Sequence, residues 1–218
     1  MSCDGRPPLV ALDVEGVLLP EIWIAVSERT GIDELRRTTR DEPDYDALMR
    51  GRLALLERHG LTMTAITDVI AGLEPLAGAR QFLDGLRQRM QVVLLSDTFR
   101  QFASPLMAQL GWPTILCHDL DVVDDRVVGY RLRVADHKRS AVEAFQRLGY
   151  QVLAAGDSYN DTAMVLAADH GFLFRAPDRM RDEFPQLPAY DAYDQLTAAI
   201  DSAIAGGGGC GAEEGDVS

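Results

Sequence analysis

The stretch LVALDVEGVLLPEIW, residues 9–23, ends a strand-like apolar run (9–12) in two carboxylates, Asp13 and Glu15, before the chain breaks at Gly16. Side chains alternate along an extended chain, so residues 13 and 15 face the same way. Like charges that close raise each other's pKa, and such a pair at the end of a buried strand needs a cation or a proton to resolve it. A turn with solvated acids is the competing reading. The rest of the chain decides between them.

Three more short apolar runs have the same character: 92–95, 152–155 and 171–174. Helical patterns at 79–89 and 139–148 separate them. Strands alternating with helices predict an open, parallel α/β sheet with right-handed crossovers. Residues 120–134 alternate around Asp124 and Asp125 and predict a β-hairpin. The first βα unit is interrupted, because residues 21–75 carry only helix-like segments, among them DYDALMRGRLALLERHG with Gly60 as its C-cap. That length exceeds a plain crossover. It predicts a small helical cap over the sheet's edge, in the place where a lid often sits. The expected organisation is a core of residues 1–20 and 76–205, a cap of 21–75, and a disordered Gly-rich, acidic tail at 206–218. The tail's glycines are not a phosphate loop, since no Lys-Ser/Thr follows them.

At 218 residues and 47% hydrophobic content, the chain fits one sizeable domain with an insertion. A net charge of −13 argues against binding nucleic acid or an anionic membrane, which call for a basic face. No apolar run approaches the roughly 18 residues of a membrane span. The start, MSCDGRPP, lacks the basic and apolar segments of a signal peptide. Cys3, Cys117 and Cys210 have neither paired nor zinc-type spacing and read as free thiols, so the cytoplasm is the expected location.

Polar groups cluster where the apolar runs end. SDTF (96–99) follows the second run, GDSYND (156–161) with Asp157 and Asp161 follows the third, and Lys138 in HKRS precedes the helical pattern at 139–148. Open parallel sheets bind ligands outside the carboxyl ends of their strands. Asp13, Glu15, Ser96 and Asp157 should therefore converge on one crevice, joined by Lys138 and Asp161. Two or three carboxylates with one lysine suit a hard, oxygen-liking cation, and Mg²⁺ best. A hydroxyl and an ammonium beside it would hold a phosphoryl group.

In this order the motifs DVEGV, Ser96, Lys138 and GDSYND resemble those of the haloacid dehalogenase superfamily of phosphatases. Within it, DVEGVLLPEIWIA, DYDALMRGRL, LLSDTF and AAGDSYNDT resemble the phosphoserine phosphatases also described as phosphoserine:homoserine phosphotransferases, over residues 9–197. The resemblance implies a Rossmann-like core, a Mg²⁺ cofactor and an aspartyl-phosphate on Asp13. It implies Glu15 as general acid and then base, where most of the superfamily has Asp. That glutamate reaches further by about 1.5 Å, one C–C bond. Metal ligands would be Asp13, the Glu15 carbonyl and Asp157, with Asp161 in support. Ser96 and Lys138 would hold phosphoryl oxygens, with the main chain of Ser96–Asp97 facing them and Asn160 nearby. Glu21 would take the substrate's amino group and Arg52 its carboxylate. The implied partners are phosphoserine and, as acceptor, water or homoserine, and the implied assembly is a monomer or homodimer.

Each residue also has a plainer reading. Ser96 could cap a helix as well as bind phosphate. Trp23 and Met49 read as core of the insertion. His59, His118, His137 and His170 lack metal-ligand spacing and read as surface groups or groups behind the site. GDS suggests a serine hydrolase built on Ser158, but the only later histidine is His170, directly after Asp169, so that triad fails. Two alternatives stand beside the main reading: the same chemistry on another small phosphorylated metabolite, and a non-catalytic phosphometabolite-binding module. Retention of both Asp13 and Lys138 argues against the second.

Overall fold

The computed structural model describes residues 5–38, 41–42 and 44–206. Of the expected tail at 206–218, Gly206 ends the last helix, and residues 207–218 lie outside the described residues, as does Cys3.

β1 (Pro8–Leu12) forms the middle of a seven-stranded sheet. It pairs in parallel with β2 (Gln91–Phe99) on one side and β5 (Gln151–Gly156) on the other. β6 (His170–Phe174) and the short β7 (Ala189–Tyr190) extend the sheet in parallel beyond β5. Beyond β2 come β3 (Ile115–Val123), parallel to it, and β4 (Arg126–Arg131), antiparallel to β3. Successive residues of β1 serve opposite faces. Val10 and Leu12 pack into one hydrophobic cluster, Leu9 and Ala11 into the other. Both faces are buried, which is why the strand reads as a continuous apolar run.

Helices follow in chain order: α1 (Ile22–Thr30), α2 (Tyr45–His59), α3 (Met63–Ala71), α4 (Ala79–Arg87), α5 (Arg100–Met107), α6 (His137–Arg147), α7 (Thr162–Ala167), α8 (Asp178–Glu183) and α9 (Tyr193–Gly206). The first three, with a 3-10 turn at Asp33–Arg36, make up the segment after β1. α2 starts at Asp44, whose side chain accepts the Ala47 N–H, and stops at Gly60 with φ of +60°. Both ends carry the residues that helix termini favour.

The hairpin at 120–134 is present as β3–β4, turned by Asp124 and Asp125 at φ of +48° and +62°. Two adjacent left-handed residues are what a two-residue primed turn requires. It ties the helical segment to the sheet. The Asp125 carbonyl accepts the Met63 N–H at 2.8 Å, its side chain accepts the Thr64 N–H, and the Tyr130 hydroxyl donates to Asp46 on α2.

Three expectations need correction. β2 runs on to Phe99, with its pairing to β3 shifting register between Leu95 and Phe99. Ser96 is therefore not a helix cap: α5 begins after Phe99, and Ser96 Oγ accepts the Thr98 N–H at 3.2 Å. Lys138 does not precede its helix but sits in the first turn of α6. Of the two readings open for the histidines, His118 and His137 take the second: both are buried, behind the strand ends.

Candidate active site

A cavity of about 900 Å³ opens at the carboxyl ends of β1, β2 and β5, between the sheet and α1–α2. Its floor is a cluster of buried charges. Lys138 Nζ donates to Asp13 Oδ1 at 2.8 Å and to Asp161 Oδ1 at 2.7 Å, and lies 3.0 Å from Asp97 Oδ2. Two of the three N–H donors of the ammonium are thus spent on buried carboxylates, and Asp97 is its third ion-pair partner. Asp161 spends its other oxygen on the backbone N–H groups of Asp157 and Ser158, both at 3.1 Å. That ties the loop after β5 to the base of the lysine. Glycine is required on both sides of this floor. A Cβ on Gly16, at φ of +79°, would meet Asp157 Oδ2 at 2.2 Å, and one on Gly156 would meet Asp161 Cβ at 2.3 Å.

The charges do not cancel. Burial pushes the Asp13 carboxyl well above its usual range, Asp161 adds to this, and Lys138 opposes it. Burial works against the Lys138 charge, yet Asp13, Asp161 and Asp97 hold its ammonium well above its usual value. Asp13, Asp157 and Asp161 each offer an oxygen within 4.8 Å of the others, an all-oxygen donor set in a site with surplus negative charge. That set fits a hard cation.

Glu15 stands beside this floor with its Oε2 accepting the Ile22 N–H at 2.9 Å, the first N–H of α1. Burial and then the charge of Glu21 push its carboxyl up to about 7, against the Ile22 hydrogen bond. A group at that value exchanges protons readily near neutral pH.

The upper wall comes from α1 and α2. Glu21 caps α1 by position, and Arg52 on α2 is 8% exposed. The guanidinium stacks over Trp23 at 4.5 Å and donates Nη2 to the Arg37 carbonyl at 2.8 Å. Its buried Nε has no hydrogen-bond partner among the described residues. Burial pulls its pKa down to about 10, with Tyr45 and Glu15 resisting. A mostly buried cation on the lining of a cavity calls for an anion.

The sequence matches the haloacid dehalogenase-like hydrolase family over residues 8–169. The chain belongs to that family. It is 59% identical over 189 residues to the phosphoserine phosphatase ThrH of Pseudomonas aeruginosa, covering 86% of this chain and 92% of that one. It is 58% identical to a phosphoserine phosphatase of Pseudomonas syringae pv. tomato, covering 86% of this chain and 80% of that one. Among solved structures, a phospho-aspartyl intermediate analogue of phosphoserine phosphatase superimposes with a TM-score of 0.74 at 17% identity, covering 89% of this chain and 99% of that one. At that identity the superposition speaks for the shared fold alone. No helix among the described residues is long and apolar enough to cross a membrane.

In this haloacid dehalogenase-like hydrolase, the sequence-derived residues Asp13, Glu15, Glu21, Arg52, Ser96, Asp97, Lys138 and Asn160 all line one cavity, and Asp157 and Asp161 lie against its floor. Trp23 is core and cavity wall at once, while Met49 is fully buried. His59 is exposed, and His170 is bonded to Gln151 away from the cavity. Sequence reasoning missed Thr98, which lines the cavity with Glu15, and left His118 and His137 open between the surface and a place behind the site, where they face Asp97. A signal was present for His137, directly before Lys138. His118 lies in a different strand and carries no local mark.

Proposed function

We propose that this chain is a phosphoserine phosphatase, releasing L-serine and phosphate from O-phospho-L-serine by way of a phosphoryl group carried on Asp13. The observation that carries the substrate is the mostly buried Arg52 guanidinium, which lines with Glu21 the same cavity as Asp13 and Lys138. Such a wall suits a substrate with a carboxylate and an ammonium at one end and a phosphoryl group at the other. The names of the two Pseudomonas relatives point the same way.

Asp13 attacks phosphorus, and Glu15, with its pKa near 7, gives a proton to the departing serine oxygen. Glu15 then takes a proton from the incoming water, which cleaves the acyl phosphate. Ser96, Lys138, the Ser96–Asp97 main chain and Asn160 hold phosphoryl oxygens. Asp13, Asp157 and the Glu15 carbonyl would hold Mg²⁺, with Asp161 in support. Bound there, the ion would neutralise phosphoryl charge. Residues 21–75 act as the cap that closes over serine. The enzyme works in the cytoplasm, a reading supported by the cysteine pattern and by Cys117, a buried free thiol.

Homoserine fits as an alternative acceptor because its amino and carboxylate groups match those of serine and the longer Glu15 arm reaches a hydroxyl one methylene away. Both readings are tested by one experiment: phosphorylated metabolites are incubated with Mg²⁺ or with chelator, with and without homoserine, and products are counted. Release of phosphate from phosphoserine, abolished by chelator, is the expected result. Turnover of other metabolites but not phosphoserine overturns the substrate. Inorganic phosphate alone at saturating homoserine overturns the transfer.

A further inference from the structure

Asp97 is placed differently from the other carboxylates at Lys138. Asp13 and Asp161 are buried beneath the ammonium, whereas the Asp97 side chain is about one-third exposed and makes the longest of the three contacts, 3.0 Å. Two N–H donors of Lys138 are bonded to Asp13 and Asp161, and the Asp97 carboxylate is ion-paired beside the ammonium, where it competes with an incoming phosphoryl oxygen for the remaining donor. Asp97 is the one at the cavity mouth. Its other partners are side chains: Asn160 Nδ2 donates to its Oδ2 at 2.7 Å, and His137 Nε2 lies 3.0 Å from its Oδ1.

His137 is itself held. Its ring meets that of His118 edge-on at 4.2 Å between centroids, and His118 Nδ1 accepts the Arg133 N–H at 3.3 Å. That partner assigns the His118 proton to Nε2, which stands 3.8 Å from Asp97 Oδ1. A proton on that nitrogen faces the carboxylate and is not a lone pair offered to a metal. Asp97, His118 and His137 could otherwise be taken for a metal-binding group, and this hydrogen bond argues against it.

We infer that His137, braced by His118, is a positioning residue that draws the Asp97 carboxylate aside, so that the third N–H of Lys138 passes to the incoming phosphoryl group. This rests on the phosphoryl-binding reading of the floor but not on the identity of the substrate. Asp97 acts as an internal competitor for the lysine, and the histidine weakens that competition.

The test compares His137→Leu, which removes the donor, with His137→Gln, which keeps an N–H of similar reach. Binding of inorganic phosphate is measured by calorimetry in the presence of Mg²⁺, with KM and kcat taken on whichever phosphate ester the wild type turns over. Loss of one hydrogen bond to a charged group predicts about a tenfold weaker phosphate affinity and a similar rise in KM for His137→Leu, with kcat within about threefold. His137→Gln should stay close to wild type. Asp97→Asn added to His137→Leu should restore much of the phosphate affinity, because the competing charge is gone. Unchanged phosphate affinity in a folded His137→Leu overturns the inference. So does a fall in kcat and melting temperature shared equally by the Leu and Gln variants, or a double variant that binds no better than His137→Leu.

Discussion

The floor and the upper wall of the cavity are built on opposite plans. On the floor, Asp13, Lys138 and Asp161 are short-reach partners fixed by strand ends and the first turn of α6, and the lysine is ion-paired to three carboxylates, Asp97 the third. On the wall, Arg52 and Glu21 belong to the helical segment outside the sheet, and the guanidinium keeps a buried donor with no partner among the described residues. A tightly ion-paired cluster holds its geometry before substrate arrives, which is what electrostatic stabilisation of a transition state needs. An unsatisfied group on a separate helix costs stability until a ligand pairs with it, which favours discrimination. Chemistry and selection are thus divided between strand ends and helices.

The division is broken most severely at the nucleophile. Asp13→Asn keeps the side-chain volume and removes the attacking charge, so phosphate release should fall by about 10⁴-fold or more with the circular dichroism spectrum unchanged. Turnover near wild type would put the nucleophile elsewhere.

Lys138→Met strikes the same floor through its counter-charge. It leaves buried carboxylates facing one another, at a cost of about 3–5 kcal/mol. Thermal melting with chelator should show that loss, and added Mg²⁺ should recover part of it. A melting curve indifferent to Mg²⁺ would remove the cation from the floor.

On the wall the expected effect is smaller and selective. Arg52→Ala should raise KM for phosphoserine by about 30-fold, the equivalent of about 2 kcal/mol for a desolvated charge pair. Phosphoethanolamine, which lacks the carboxylate, should change by less than about threefold. Equal losses on both esters would merge wall and floor into one functional unit.

Glu15 joins the two regions, bonded to the start of α1 while standing beside Asp13. Its carboxyl is raised by burial to about 7 from an ordinary 4.5. A raised carboxylate pKa means that the folded protein binds the proton more tightly than the unfolded chain. The stabilisation is full below about pH 4.5 and disappears as pH rises through about 7. In chelated protein, Glu15→Gln should flatten the fall in stability between pH 5 and 7 by no more than about 3 kcal/mol. Parallel stability curves for the two proteins would mean that Glu15 titrates like an exposed carboxyl.

Much of the floor was legible in the chain because its residues stand at the ends of apolar runs. In an open parallel sheet, those ends lie together whatever the connections between them. Asp13, Ser96 and Asp157 each carry that local mark, and Gly16 and Gly156 beside them are demanded by the close approach of Asp157 and Asp161. The helical segment after β1 was legible too, from its length and from Asp44 and Gly60 at the ends of α2.

What the order of residues could not say is how far each strand runs and what stands behind it. The extension of β2 through Ser96–Phe99 depends on pairing with β3, a contact between chain segments 20 residues apart that no local pattern encodes. The same pairing brings His118 toward His137, and α6 begins early enough to draw both His137 and Lys138 into its first turn. The sequence alone therefore determined which charges meet at the strand ends, since alternation and burial act locally. Tertiary structure alone decided which partners hold them, since a buried polar group takes whichever donor the packing brings within hydrogen-bond reach.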